Sequence, residues 1–131
     1  MHWVPYRRLV ATGHLRPYIK IRVVEPFQGQ ASCVCLCLLD TGADVSALPQ
    51  DAVDTLQLVP TGLKSVKAYS DETPKIKNTY SANLTIFGVE FCGLEVLPMP
   101  SHVGLIGRDV LNMFFLKLDG PKARFKEGRF F

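Results

Sequence analysis

Apolar and polar residues alternate over several short stretches of this chain, and glycines and prolines separate those stretches. Tyr18-Ile19-Lys20-Ile21-Arg22-Val23-Val24 has the period of a strand. A turn at 26–30 leads into a second predicted strand, Ala31 to Leu39, and the two form a hairpin that delivers the chain to Asp40. Val45 to Leu48 continues inward, and 49–56 has the acidic first turn and early proline of a short helix. Pro60-Thr61-Gly62 is expected to end that unit. Strands follow at 63–69 and 75–87, around a polar turn at 70–74. A turn at Gly88-Val89-Glu90 precedes a strand over 91–97, and Pro98-Met99-Pro100 is expected to break its ladder. Val103 to Ile106 is an apolar strand that runs into Gly107-Arg108-Asp109 and a helix reaching about Phe115. Leu116 to Leu118 and Ala123 to Lys126 are the last short strands, and residues 1–15 form an arm or an irregular first strand.

Composition narrows the class. The 131 residues are 47% apolar and 21% charged, which suits one globular domain rather than a disordered chain. Frequent β-branched and aromatic residues, with nine prolines and ten glycines as punctuation, point to an all-β or mainly β domain with one or two short helices. The net charge of +3 is mild and its lysines and arginines are scattered, so no nucleic-acid surface is argued for. No apolar run reaches the roughly 20 residues that span a bilayer, and the N-terminus lacks the regions of a secretory signal. The expectation is a cytoplasmic protein with no membrane association, in which the four cysteines are reduced.

Cys33, Cys35 and Cys37 fall at period two and share one strand face. Adjacent positions on that face lie roughly 7 Å apart, beyond disulfide reach. A metal cluster would need further ligands, and only Cys92 and three scattered histidines are available. The cysteines are expected to be small core residues, with no metal and no other cofactor.

Two stretches carry chemistry. Leu38-Leu39-Asp40-Thr41-Gly42-Ala43-Asp44 ends a hydrophobic strand in a carboxylate held on a turn. Asp and Gly are ordinary turn residues, so a plain strand end is the simplest account of this stretch alone. A carboxylate beside so much apolar chain is nevertheless costly unless it is hydrogen-bonded or used. Val103-Gly104-Leu105-Ile106-Gly107-Arg108-Asp109-Val110-Leu111 is the second stretch, a strand that passes through Gly-Arg-Asp into a helix.

In this order and spacing the two stretches resemble the retroviral-type, or retropepsin-like, aspartic protease family and its bacterial and cellular members. The resemblance covers residues 16–118: Arg16-Pro17 and the following strand match the first hairpin, and 80–118 match the strands, proline-containing loop and final helix. It implies a closed, barrel-like protease subunit, with residues 1–15 as an extension. Residues 119–131 would be a turn and strand available to a dimer sheet.

Peptide hydrolysis of this kind needs two carboxylates about 3 Å apart that share a proton. This chain has one Asp-Thr-Gly; Asp119 precedes Gly-Pro and Asp71 lies in a polar turn. The resemblance therefore implies a homodimer in which Asp40 meets its symmetry mate and acts on polypeptides. It further implies that Thr41 bonds across the dimer and that Gly42 brings the backbone to the substrate. Ala43, Asp44, Val45, Tyr69 and Ile106 would contact substrate, with Leu48 also on the cleft wall. Asp44 would pair with Arg108, either as a buried structural ion pair or as a substrate contact too. Arg16 would reach the partner's acidic loop or stay solvated, and Asp109 would order the junction. The hairpin from Leu63 to Tyr80 would be the flap, although its tip, Ala68 to Thr73, has no glycine and carries two acids. Two other classes remain in view: a dimerisation or peptide-binding module of the same fold, and a small barrel that binds metal through its cysteines.

Overall fold

The computed structural model describes residues 2–29, 31–67 and 73–128. Ten strands and two short helices occur among them. Strands β2 (Tyr18–Val24) and β3 (Ser32–Leu39) pair antiparallel as the expected hairpin, in register from Tyr18↔Leu38 to Val24↔Ser32. Along β3 the period of two is visible as burial: Cys35, Cys37 and Leu39 face the core, while Val34 on the opposite face is exposed.

Strand β3 pairs in parallel with β8 (Gly104–Ile106), which lies antiparallel to β4 (Ala47–Pro49). Strand β4 lies parallel to β7 (Val89–Met99), β7 pairs antiparallel with β6 (Lys75–Ile86), and β6 returns to β2. These six strands close a barrel, which no single hairpin in the sequence could announce. Strand β5 (Pro60–Val66) stands outside the ring and pairs with β6 as a long hairpin. Helix α1 (Gln50–Thr55) buries Ala52 and Val53 against the barrel, and α2 (Arg108–Leu111) buries Val110 and Leu111. Ile21, Val23, Cys37, Leu48, Leu84, Val96 and Ile106 meet in one core.

A second, three-stranded sheet joins the two ends of the chain in the order β1 (Val4–Pro5), β10 (Arg124–Gly128), β9 (Phe115–Asp119). Phe125 on β10 is fully buried and belongs to the same core as the barrel, with its ring 6.5 Å from that of Phe87. The outer face of this sheet carries Trp3, against which the Arg124 guanidinium stacks at 4.0 Å.

Four boundaries differ from the sequence expectations. Pro60-Thr61-Gly62 does not end a unit but opens β5, with a bulge between Pro60 and Gly62. The turn after β6 is Phe87-Gly88 alone. Both residues have positive φ, 51° and 75°, as a two-residue hairpin turn requires, so β7 already begins at Val89. Phe87 is held in that conformation by packing edge-on to Phe114 at 5.2 Å. Pro98-Met99-Pro100 does not end β7 at Leu97, and the strand runs on to Met99. Leu97 donates its N–H to the Ser46 carbonyl, so the next residue's missing N–H faces away from β4, and pairing with β6 ends at Val96. Finally, α2 is a single turn rather than a helix reaching Phe115, because Phe114 turns inward to Phe87 and Phe91 and β9 starts at the next residue.

Candidate active site

Strand β3 ends where Asp40 donates its backbone N–H to the Ile106 carbonyl at 2.9 Å. That bond ties the carboxylate-bearing residue to the end of β8. The Ala43 N–H closes the turn on the Asp40 carbonyl at 3.2 Å, and the Gly42 N–H donates to the Asp40 carboxylate at 2.9 Å. A Cβ at Gly42 would stand 3.2 Å from that same oxygen, so glycine leaves the carboxylate room to take the bond. Asp40 is half-buried: one oxygen is oriented by the turn while the side chain keeps access to solvent.

The β8–α2 junction holds the turn from behind. The Arg108 N–H donates to the Ala43 carbonyl at 2.8 Å and the Asp109 N–H to the Asp44 carbonyl at 3.3 Å. Gly107 is required by close approach: a Cβ there would lie 2.8 Å from the Ala43 oxygen and 2.9 Å from the Val45 carbonyl carbon. The Asp109 carboxylate accepts the Ser46 hydroxyl at 2.7 Å and the Ser46 N–H at 2.9 Å, and the Gly107 N–H donates to the Ser46 oxygen at 3.0 Å. This fully buried serine was not singled out in the sequence. Its signal was a hydroxyl inside the apolar run Val45 to Leu48, where a buried polar group needs partners.

The Arg108 guanidinium pairs with the Asp44 carboxylate as the motifs imply, but the pair is exposed rather than buried, with side-chain accessibilities of 49% and 77%. Thr41 and Gly42 are exposed, and Ala43 and Val45 are half-buried at the rim of the turn. Ile106 and Leu48 do not line an open cleft: both are at 0% exposure inside the barrel core. Ile106 serves the site through its carbonyl instead. Arg16 is exposed, and its backbone pairs with Arg7. Strands β5 and β6 supply the arms of the expected flap, while Tyr69 and the tip over 68–72 lie outside the described residues.

The cysteines are free thiols, with the sulfurs of Cys33 and Cys35 at 3.8 Å. Burial pushes the Cys35 and Cys37 thiols up to about 12, with the neighbouring cysteine adding in the same direction. Such thiols are poor nucleophiles and poor metal ligands. Among the described residues no group of three His, Cys, Asp or Glu side chains is placed to hold a metal ion.

The site is thus a carboxylate on a Thr-Gly turn, braced by a Gly-Arg-Asp junction at the edge of a six-stranded barrel. The family model for retroviral aspartyl protease matches residues 14–119. The chain belongs to this family. Solved structures of this retropepsin-like fold align over most of its length. A retropepsin-like aspartic protease from Rickettsia conorii aligns with a TM-score of 0.59 and 19% identity, covering 95% of this chain and 88% of that one. EIAV protease complexed with the inhibitor HBY-793 aligns with a TM-score of 0.54 and 18% identity, covering 80% and 93%. A foamy viral protease–reverse transcriptase in complex with an RNA/DNA hybrid aligns at 0.56 and 16% identity, covering 76% of this chain but 12% of that longer one. No curated protein matches by sequence. At these identities the structural likenesses establish the fold, and the family match establishes membership of the retroviral aspartyl protease family.

Proposed function

We propose that the protein is an aspartic endopeptidase whose active site is assembled by a homodimer, with one Asp40 from each subunit. The observation that carries this reading is the Asp40 turn itself. Its carboxylate is oriented by the Gly42 N–H, and its backbone is anchored to Ile106. In such a pair one carboxylate removes a proton from water while the other, protonated, donates towards the scissile carbonyl oxygen. The proton belongs to the pair, since two carboxylates at that distance cannot both ionise.

The other residues take roles around that centre. Thr41 bonds across the two-fold axis, and Gly42 and Asp44 offer backbone and carboxylate to the extended substrate, with Ala43 and Val45 on the apolar rim. Arg108 restrains Asp44, and the β5–β6 hairpin closes over the peptide and excludes water. Residues 16–118 carry this machinery, and the terminal sheet of β1, β10 and β9 is the part available to the partner subunit. The free thiols fit a cytoplasmic setting.

Asp40→Asn tests the reading. It should abolish cleavage of denatured casein and of a peptide library while leaving the oligomeric mass unchanged, and the parent activity should be blocked by a pepstatin-type inhibitor. Undiminished cleavage by Asp40→Asn removes Asp40 from the chemistry. A dimer with no turnover in the parent protein makes the chain a peptide-binding module instead.

A further inference from the structure

Strand β6 has two edges. One is covered first by β5, over Lys75 to Tyr80, and then by β2, over Asn83 to Thr85. The other is covered by β7 only from Tyr80 onward, since the β6–β7 ladder ends at Tyr80↔Val96. Beyond that point β7 follows β4 through Leu97 to Met99, so β6 and β7 diverge like the arms of a fork. Among the described residues no strand pairs with β6 on this side before Tyr80.

The backbone groups that face this edge follow from alternation. The Ser81 N–H points to the β5 side, where it donates to the Val59 carbonyl at 3.3 Å. The bulge near this end lies in β5, which has an extra residue at Thr61, so β6 alternates without interruption here. Lys77 and Thr79 therefore aim their N–H and C=O groups at β5, and Ile76 and Asn78 aim theirs at the open edge. An unpaired edge of this kind is a template for another strand.

The floor of the fork is a groove of about 390 Å³ whose lining includes Lys77, Asn78, Tyr80, Pro98, Met99 and Pro100. It contains no residue of the Asp40 turn. Its apolar members suit one aliphatic side chain of an added strand. Its charge favours an acidic ligand: Lys77 is directly opposite Lys64 in the β5–β6 register, and like charges directly opposite each other repel. Neither described arm, 60–67 or 73–80, contains an acidic residue.

We propose that this edge is an exosite: it binds an extended polypeptide segment with alternating acidic and aliphatic side chains as an added strand on β6. The segment bonds to Ile76 and Asn78, sets an aliphatic side chain into the Tyr80–Met99 groove, and places carboxylates by Lys77 and Lys64. Building on the proteolytic reading, that segment is a stretch of the substrate away from the scissile bond, and it holds the substrate while the cleft engages.

The test uses the full chain carrying Asp40→Asn and a synthetic peptide alternating glutamate with valine, followed by amide hydrogen exchange and fluorescence anisotropy. The peptide should slow exchange at Ile76 and Asn78. Asn78→Pro removes one outward N–H, spares the β5 ladder and should weaken binding about five- to tenfold, while Asn78→Ala, which changes the groove wall but keeps the N–H, should weaken it less. Met99→Glu should abolish binding and Met99→Leu should retain it, so the proposal is tested even if the proline variant misfolds. Protection confined to the Asp40–Asp44 turn, absence of binding, or unchanged affinity in Met99→Glu overturns the exosite. Turnover by the parent chain is measured separately, so failure of the proteolytic reading is seen independently of failure of the exosite.

Discussion

Ser46 and Asp109 meet from opposite sides of the turn that carries Asp40, the Ser46 hydroxyl donating to the Asp109 carboxylate at 2.7 Å. The same carboxylate also takes the Ser46 N–H, and the serine oxygen takes the Gly107 N–H. This network locks β4 to the β8–α2 junction, and both flank the Asp-Thr-Gly turn. Asp109→Ala strands a buried hydroxyl and a buried N–H, and should destabilise the fold by about 2–4 kcal/mol in denaturant unfolding. Asp109→Asn retains an acceptor oxygen and should cost less.

Arg108→Ala should behave differently despite removing a charged partner from the same loop. Its ion pair with Asp44 is exposed, so the subunit should lose less than about 1 kcal/mol. Turnover should fall by a larger factor than stability does, because Asp44 loses its restraint. Parallel urea titrations and kcat/KM measurements separate the two effects.

Gly107→Ala should be the more damaging change in that junction. The new methyl meets the backbone at Ala43 and Val45, and backbone cannot swing aside as a flexible side chain can. A loss of about 1–3 kcal/mol is expected from overpacking, with a displaced Asp40 turn and reduced activity. Thermal unfolding together with peptide turnover reads both.

The cysteines should divide by burial. Cys92 is exposed, whereas Cys35 and Cys37 are buried with thiols pushed up to about 12. Alkylation of the folded protein at neutral pH, followed by mass spectrometry, should modify Cys92 first and spare Cys35 and Cys37 until denaturant is added. Early modification of Cys37 would mean that the β3 face opens in solution.

The C-terminal strand should prove integral to the fold. Phe125→Ala empties a fully buried aromatic site and should cost about 3–5 kcal/mol. The hydrogen bond from Arg124 and its charge hold the nearby Asp119 carboxyl below its ordinary value of 3.8. A depressed folded-state value contributes stability that is complete above 3.8 and disappears as pH falls through the lower, folded value. The stability gap between the parent chain and Asp119→Asn should therefore be constant at neutral pH and close in acid, as followed by pH-dependent unfolding.

Much of the site could be read from local pattern. Alternation over Tyr18 to Leu39 specified the hairpin that delivers Asp40, because period two in a half-buried strand is a property of adjacent residues. Asp40-Thr41-Gly42 and Gly107-Arg108-Asp109 were legible because each motif is contiguous. What partners them is not: the tie from Asp40 to Ile106, the role of Ser46, and the burial of Ile106 and Leu48 all depend on β3 and β4 meeting β8. Pro98 shows the limit well, since its effect on β7 depends on which neighbour strand its nitrogen faces.

The sequence by itself determined the strand-rich class, the family resemblance and the choice of Asp40 as the candidate carboxylate, since all three reside in local spacing and residue type. Tertiary structure alone decided that six strands close into a barrel, that β1 and β10 share a sheet, and that one edge of β6 has no partner strand among the described residues before Tyr80. Those features rest on pairings between residues far apart along the chain, and backbone hydrogen bonds carry no side-chain signature from which to read their partners.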